Sequence, residues 1–186
     1  LDFHATATKE GGRYLEAPVL GSVVPATRGM LTILISGAKE DFESHRSLFD
    51  KLGKSLLFLG QPGLASKMKL INNLVLGTIM GVLAEATVLA EKSGIAREQA
   101  LDILAAGAGN SAILSAKRQK LLTQDFNPHF SVAAIHKDLR YLEDMLREHA
   151  STSDLRAASE GLFARATEAG LGDQDFSAIY TIIKGS

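Results

Sequence analysis

Residues 63–93 read GLASKMKLINNLVLGTIMGVLAEATVLAEKS, and this stretch decides the fold. Ser66 to about Ser93 read as one long helix. Met68, Leu70, Ile71, Leu74, Val75, Leu76, Ile79, Met80, Val82, Leu83, Val88 and Leu89 circle most of its surface. A helix apolar nearly all round is buried, either in a large core or against a partner subunit. Its length would suit a membrane span, but Glu85, Glu91, Lys92, Asn72 and Asn73 argue against one. Gly94 closes it.

Lys69 stands near the start of this helix, with Asn72 and Asn73 three and four residues on, so the three share a face. A cation near a helix N-terminus is disfavoured by the positive end of the helix dipole. The same field lowers the lysine pKa and makes it a better proton donor near neutral pH. Lys69 is therefore the candidate acid–base group, set against the plainer reading of a solvated lysine.

Away from this helix the texture differs on the two sides. Upstream, residues 1–10 read as the end of a helix stopped by Gly11-Gly12. Arg13 to Val19 read as a short strand, ended by Pro18 and Gly21. Met30 to Ile35 is a β-branched apolar run that suits a buried strand. Lys39 to Leu52 read as an amphipathic helix with Phe42, Leu48, Phe49 and Leu52 on one face, and Leu56 to Leu59 as another strand. This portion is α/β in character. Downstream, Arg97–Ala106, Ala112–Leu122, Val132–His149, Leu155–Ala169 and Phe176–Ile183 all read as helices. The expected organisation is an α/β segment over 1–60 and an all-helical domain over 61–186.

The chain has 186 residues, 46% hydrophobic and 22% charged, with a formal net charge of −1. That balance gives no electrostatic case for nucleic acid or an anionic membrane surface. There is no cysteine, and the five histidines show no metal-ligand spacing. No targeting or lipidation motif is visible, so a cytoplasmic address is the expectation. Lys117-Arg118-Gln119-Lys120 reads as a solvated face. No G-x-G-x-x-G, P-loop or G-x-S-x-G motif occurs; Gly107-Ala108-Gly109 lacks a third glycine and has no strand before it.

Four segments in order bring a family into view. They are Gly12 to Ser22 (GRYLEAPVLGS) with Pro25-Ala26 and Gly29-Met30-Leu31; Gly63 to Asn73; Phe130 with Lys137-Asp138-Leu139; and Gly172 to Ala178 (GDQDFSA). Together they resemble the β-hydroxyacid dehydrogenases, the group that includes 3-hydroxyisobutyrate dehydrogenase, tartronate semialdehyde reductase and glyoxylate/succinic semialdehyde reductase. The last branch is the most similar, through the Lys-Met-Lys-Leu-Ile run and the Asp-Phe-Ser-Ala ending.

The resemblance implies a mainly α fold. An all-helical domain like that of 6-phosphogluconate dehydrogenase would follow the tail end of a Rossmann domain, in a chain that starts at Leu1, past the cofactor fingerprint, as a fragment or truncation. It implies NADP or NAD as cofactor, with the main binding fingerprint absent from these residues. Lys69 would be the general acid toward a small aldehyde or 2-oxo acid, or the base toward a 3-hydroxy acid. Asn73 would hydrogen-bond substrate. Gly21 and Ser22 would offer backbone N–H groups to its carboxylate, and Phe130 would wall the pocket. Lys137 and Asp138 would approach the cofactor or brace the site. Leu20 stands where the family has serine, which implies a somewhat more apolar substrate.

The long apolar helix predicts a homodimer or homotetramer, and no metal, nucleic-acid or membrane partner is expected. Two other readings stay open. One is a non-catalytic helical oligomerisation module, resembling relatives in chromatin proteins that have lost the catalytic lysine. The other is an imine-reductase-like enzyme, made less attractive by the retention of Lys69 and of Pro18-Val19-Leu20-Gly21.

Overall fold

The computed structural model describes residues 2–185, and the fold is mainly α with an α/β N-terminal portion, as the sequence implies. Two compact units, residues 1–72 and 73–186, are connected through one helix. Of the expected N-terminal helix, Leu1 lies outside the described residues.

The first unit holds α1 (Asp2–Lys9), β1 (Val19–Leu20), α2 (Val23–Thr27), β2 (Leu31–Ile35), α3 (Lys39–Leu52) and β3 (Gly53–Phe58). The sheet order is β1-β2-β3. β1 runs antiparallel to β2, with Val19 opposite Ile33, and β2 runs parallel to β3, with Ile33 opposite Leu56 and Ile35 opposite Phe58. The expected strand over Arg13–Val19 is shorter than the sequence suggests. Pairing begins at an isolated bridge between Glu16 and Ser36 and becomes regular only at Val19. Pro18 lacks an N–H, so it adds only its carbonyl, which accepts from Leu34. β3 begins earlier than expected, at Gly53.

Ile33, Ile35, Phe42 and Phe49 form the core of this unit, with Leu15, Ala17, Leu31, Leu56 and Phe58 against them. The rings of Phe42 and Phe58 stack at 5.3 Å. Leu48 and Leu52, expected on the same face as Phe42, are exposed instead. At 3.6 residues per turn they lie about 120° and 80° round from Phe42, whereas Phe49 returns to within about 20°.

α4 (Leu64–Lys92) is the long helix of the quoted stretch. It is long and apolar enough to cross a bilayer by length and composition. Its Met80, Leu83, Ala84 and Val88 are nonetheless buried in a protein core. Not all of its apolar surface lies in that core: Val75, Val82 and Leu89 are 53%, 59% and 67% exposed. Seven residues apart, they form one exposed apolar stripe on the helix.

In the second unit α4 is followed by α5 (Arg97–Ala106), α6 (Ala112–Thr123), α7 (Val132–Glu148), α8 (Asp154–Ala166) and α9 (Ile179–Lys184). Ser111, Ser131 and Ser153 cap α6, α7 and α8, each hydroxyl accepting an N–H from the first turn. The helix expected to run to Ala169 ends at Ala166 and passes into a π turn over Thr167–Leu171, where Gly170 has φ +81°. The last expected helix is a 3-10 turn, Phe176–Ala178, continued by α9.

Helices pack closely here. A Cβ on Gly77 of α4 would sit 3.3 Å from the Phe163 ring and 3.5 Å from Ile135 and Leu139. The core gathers Leu101, Leu114, Leu121, Ile135, Leu139, Phe163, Phe176 and Tyr180 round this contact.

Candidate active site

Lys69 lies in the second turn of α4, half-buried, and its Nζ donates to the Val19 carbonyl at 2.7 Å. β1 then leads into Leu20, Gly21 and Ser22, so the ammonium is tied to the strand that carries these three residues. Leu20 is half-buried and pairs with Thr32. Gly21 has φ +121°, and a Cβ there would stand 2.9 Å from Leu31 Cδ2 and 3.1 Å from Pro25 Cβ. Only glycine fits that corner without displacing its neighbours. Ser22 is the N-cap of α2, although its hydroxyl makes no cap bond, while its carbonyl accepts from Ala26. The five-residue helix α2 was not foreseen; Pro25 stands in its first turn, where a missing N–H costs nothing.

Asn73 is four residues beyond Lys69 on α4. It is 1% exposed, and its Nδ2 donates to Asp138 Oδ2 at 2.6 Å. Asp138 Oδ1 in turn lies 3.3 Å from the Lys137 ammonium, which also sits 5.9 Å over the Tyr141 ring. Asp138 therefore bridges Asn73 and Lys137. Phe130 is half-buried, edge-on to Phe176 at 5.9 Å, and its carbonyl accepts from the Phe176 N–H. The predicted residues thus form two groups: Lys69 with Leu20, Gly21 and Ser22, and Asn73 with Lys137 and Asp138. Phe130 belongs to the aromatic packing around Phe176.

Sequence reasoning missed a buried ion pair of the helical unit. Lys117 and Lys120, expected on a solvated face, are 5% and 9% exposed. Lys117 Nζ donates to Asp175 Oδ2 at 2.7 Å and lies 4.7 Å over the Phe176 ring. Asp175 also accepts from the His129 N–H at 3.0 Å and from the Ser177 N–H and hydroxyl at 3.2 and 2.7 Å. Burial pulls the Lys117 ammonium below its ordinary pKa. Burial also pushes the Asp175 carboxyl up, but the bonds from Lys117, Ser177 and His129 outweigh that and hold it below the usual carboxylate range. Lys120 donates to the carbonyls of Asp125 and Asn127 beyond the end of α6. The signal for Lys117 was present in the sequence: it lies three residues after Leu114 and four before Leu121, both fully buried, so helical periodicity already turns it inward.

The residues present fit only part of a dinucleotide cofactor. A pyrophosphate needs free N–H groups at a strand-to-helix turn. The turn after β2 enters α3 with Glu40 and Asp41 in the first helical turn. The turn after β3 enters α4, where the Gly63 and Ser66 N–H groups already donate to the Glu16 carboxylate at 2.7 and 3.3 Å. Neither turn seats a phosphate. Lys137 is the expected cofactor residue with an exposed cation. It lines a groove on α7 with Arg140, Tyr141, Glu143, Asp144 and Arg147.

Comparison with known proteins matches residues 63–183 to the family model described as the NAD-binding domain of NADP-dependent 3-hydroxyisobutyrate dehydrogenase. Residues 2–60 match the NAD binding domain of 6-phosphogluconate dehydrogenase. Glyoxylate/succinic semialdehyde reductase 1 of Arabidopsis thaliana is 39% identical over 186 residues, which is all of this chain and 64% of that protein. The cytokine-like nuclear factor N-PAC of Homo sapiens is 38% identical over 170 residues, 91% of this chain and 31% of that protein. The crystal structure of 3-hydroxyisobutyrate dehydrogenase from Salmonella typhimurium superposes with a TM-score of 0.91 at 28% identity, covering 97% of this chain and 64% of that one. The chain thus spans less than two thirds of the length of these relatives.

Proposed function

The chain belongs to the β-hydroxyacid dehydrogenase family, and on that premise we propose that it carries the proton-transfer and substrate-binding residues of a reductase for a small aldehyde or 2-oxo acid. The observation that carries this reading is the Lys69 Nζ held 2.7 Å from the Val19 carbonyl, on the strand that runs directly into Leu20, Gly21 and Ser22. Bound NAD(P)H supplies the hydride in this family. Lys69 gives its proton to the substrate oxygen as the carbonyl carbon is reduced, and takes the hydroxyl proton in the reverse direction. The Gly21 and Ser22 N–H groups receive the substrate carboxylate. Asn73 orients the substrate, and Phe130 excludes water from one side. Lys137 and Asp138 would approach the cofactor or brace the site. Residues 1–60 form the end of the nucleotide-binding domain and residues 61–186 the substrate and assembly domain. The substrate class of the relative named above makes glyoxylate and succinic semialdehyde the first compounds to try. A cytoplasmic address suits this chemistry.

A second reading, a helical assembly module without catalysis, is favoured by the bare α4 stripe and by the 38% identity to the nuclear factor. Retention of Lys69 and Asn73 favours the enzyme. The two are separated by assaying NADPH-dependent reduction of glyoxylate and succinic semialdehyde in the longer protein that includes the cofactor fingerprint. Lys69→Met should lower kcat by about a hundredfold or more, within the range for loss of a general acid. Full activity in that variant would remove Lys69 from the chemistry.

A further inference from the structure

We infer that Glu16 is a positioning residue for Lys69: its buried carboxylate fixes the first turn of α4 so that the ammonium one turn later meets the Val19 carbonyl. The inference rests on the reading of Lys69 as proton donor. It explains a carboxylate only 7% exposed at the base of the strand that approaches Lys69.

Glu16 accepts from four donors. Oε1 receives the Gly63 N–H at 2.7 Å. Oε2 receives the Ser66 N–H at 3.3 Å, the Ser66 hydroxyl at 3.1 Å and the Ser36 hydroxyl at 3.0 Å. Ser36 Oγ itself accepts the Ala65 N–H at 3.1 Å. Three N–H groups at the start of α4, which no helix can satisfy internally, are therefore answered by two side chains from the sheet. Those side chains are locked together by reciprocal backbone bonds, Glu16 N–H to Ser36 O at 2.9 Å and Ser36 N–H to Glu16 O at 3.1 Å.

Three residues after Glu16, the same segment offers the Val19 carbonyl to Lys69. The segment thus grips α4 in its first turn through Glu16 and in its second through Val19. The two grips together set the position of the first two turns of α4 over β1. The negative charge also offsets the positive end of the helix dipole.

The division of donors between the two oxygens makes the inference testable. A glutamine has one acceptor oxygen and one NH2 group. In either orientation its NH2 opposes a backbone N–H, that of Gly63 on one side or that of Ser66 on the other. Glu16→Gln keeps size and polarity yet breaks the grip.

The test has two arms. In the 186-residue chain, amide hydrogen exchange at Gly63, Ala65 and Ser66 should quicken about tenfold in Glu16→Gln, the scale of one lost buried hydrogen bond. The Leu139 and Leu142 amides of α7 should stay unchanged and report that the chain is folded. In the longer, cofactor-binding protein, kcat for aldehyde reduction should fall about tenfold or more while KM stays within about twofold, because misplacing an acid by a fraction of an ångström affects the transition state more than substrate affinity. Ser36→Ala, a milder change, should quicken exchange at Ala65 with a smaller loss of kcat.

Unchanged exchange in Glu16→Gln would overturn the inference. Quickened exchange with unchanged kcat would reduce Glu16 to a helix cap and overturn the positioning role. A wild-type protein inactive toward every aldehyde and 2-oxo acid would sink the reductase reading and this inference with it, whatever the exchange arm showed.

Discussion

Asp175→Asn should be among the most destabilising isosteric changes in the helical unit. Asp175 and Lys117 have side chains 0% and 7% exposed, and the four donors of Asp175 divide evenly. Oδ2 serves Lys117 and the His129 N–H; Oδ1 serves the N–H and hydroxyl of Ser177. An asparagine satisfies one pair and turns its NH2 against the other. The buried Lys117 ammonium then faces no carboxylate charge, only a neutral amide and the Phe176 ring. Removing one partner of a buried ion pair costs about 3–5 kcal/mol. With a urea m-value of about 2 kcal/mol/M, the unfolding midpoint should fall by about 2 M. Urea titration followed by far-ultraviolet circular dichroism measures it. Lys117→Met should cost less, since three donors to Asp175 remain. The double variant should recover part of the loss, giving a coupling of about 2 kcal/mol. Asp175 is held below the usual carboxylate range, so the unfolded chain binds its proton more readily. Its stabilisation is therefore present at neutral pH and is lost as pH falls through and below that range; Asp175→Asn should flatten the acid limb. A loss under about 1 kcal/mol at neutral pH, or single costs that simply add, would refute the account of this pair.

Two further predictions concern specificity and assembly. Leu20→Ser in the longer protein should shift preference toward short polar substrates, measured as kcat/KM for glyoxylate against a longer aldehyde; an unchanged ratio removes Leu20 from selectivity. The stripe of Val75, Val82 and Leu89 on α4 should be covered by a second copy of the chain. Sedimentation velocity should show a dimer or tetramer that Val82→Glu dissociates, and a wild-type monomer would defeat the proposal.

Long periodic helices were legible in the sequence because their apolar spacing repeats over many turns. Arg97–Ala106 and Lys39–Leu52 have the expected bounds, and α4 differs by two residues at its start and one at its end. Short or irregular elements were not legible. α2 has five residues, too few for a period, and the π and 3-10 turns depart from the 3.6 spacing on which the reading relies. β3 begins with Gly53, Lys54 and Ser55, whose strand character comes from pairing with β2 rather than from their own side chains. The candidate site divides in the same way. That Lys69 and Asn73 lie one turn apart on one helix was legible, because four residues on a helix is a local relation. Glu16 with Ser66, and Lys117 with Asp175, join positions 50 and 58 residues apart. A carboxylate's two-sided acceptor geometry leaves no mark on local sequence.

Asp138 shows how such a contact changes a role. The family resemblance offered it as a cofactor neighbour or a brace for the site. In the fold, its Oδ2 takes the Nδ2 of Asn73 at 2.6 Å. An ionised carboxylate accepts only, so it dictates which end of the Asn73 amide it faces. The amide oxygen is thereby turned away from Asp138, and the pair holds the Asn73 amide in one orientation. Asp138→Asn allows the amide to flip. In the longer protein this variant should raise KM for the hydroxy acid several-fold while leaving KM for the nicotinamide cofactor within about twofold, the signature of lost substrate binding alone. A rise confined to the cofactor KM would return Asp138 to the cofactor side and leave Asn73 without its orienting partner in catalysis.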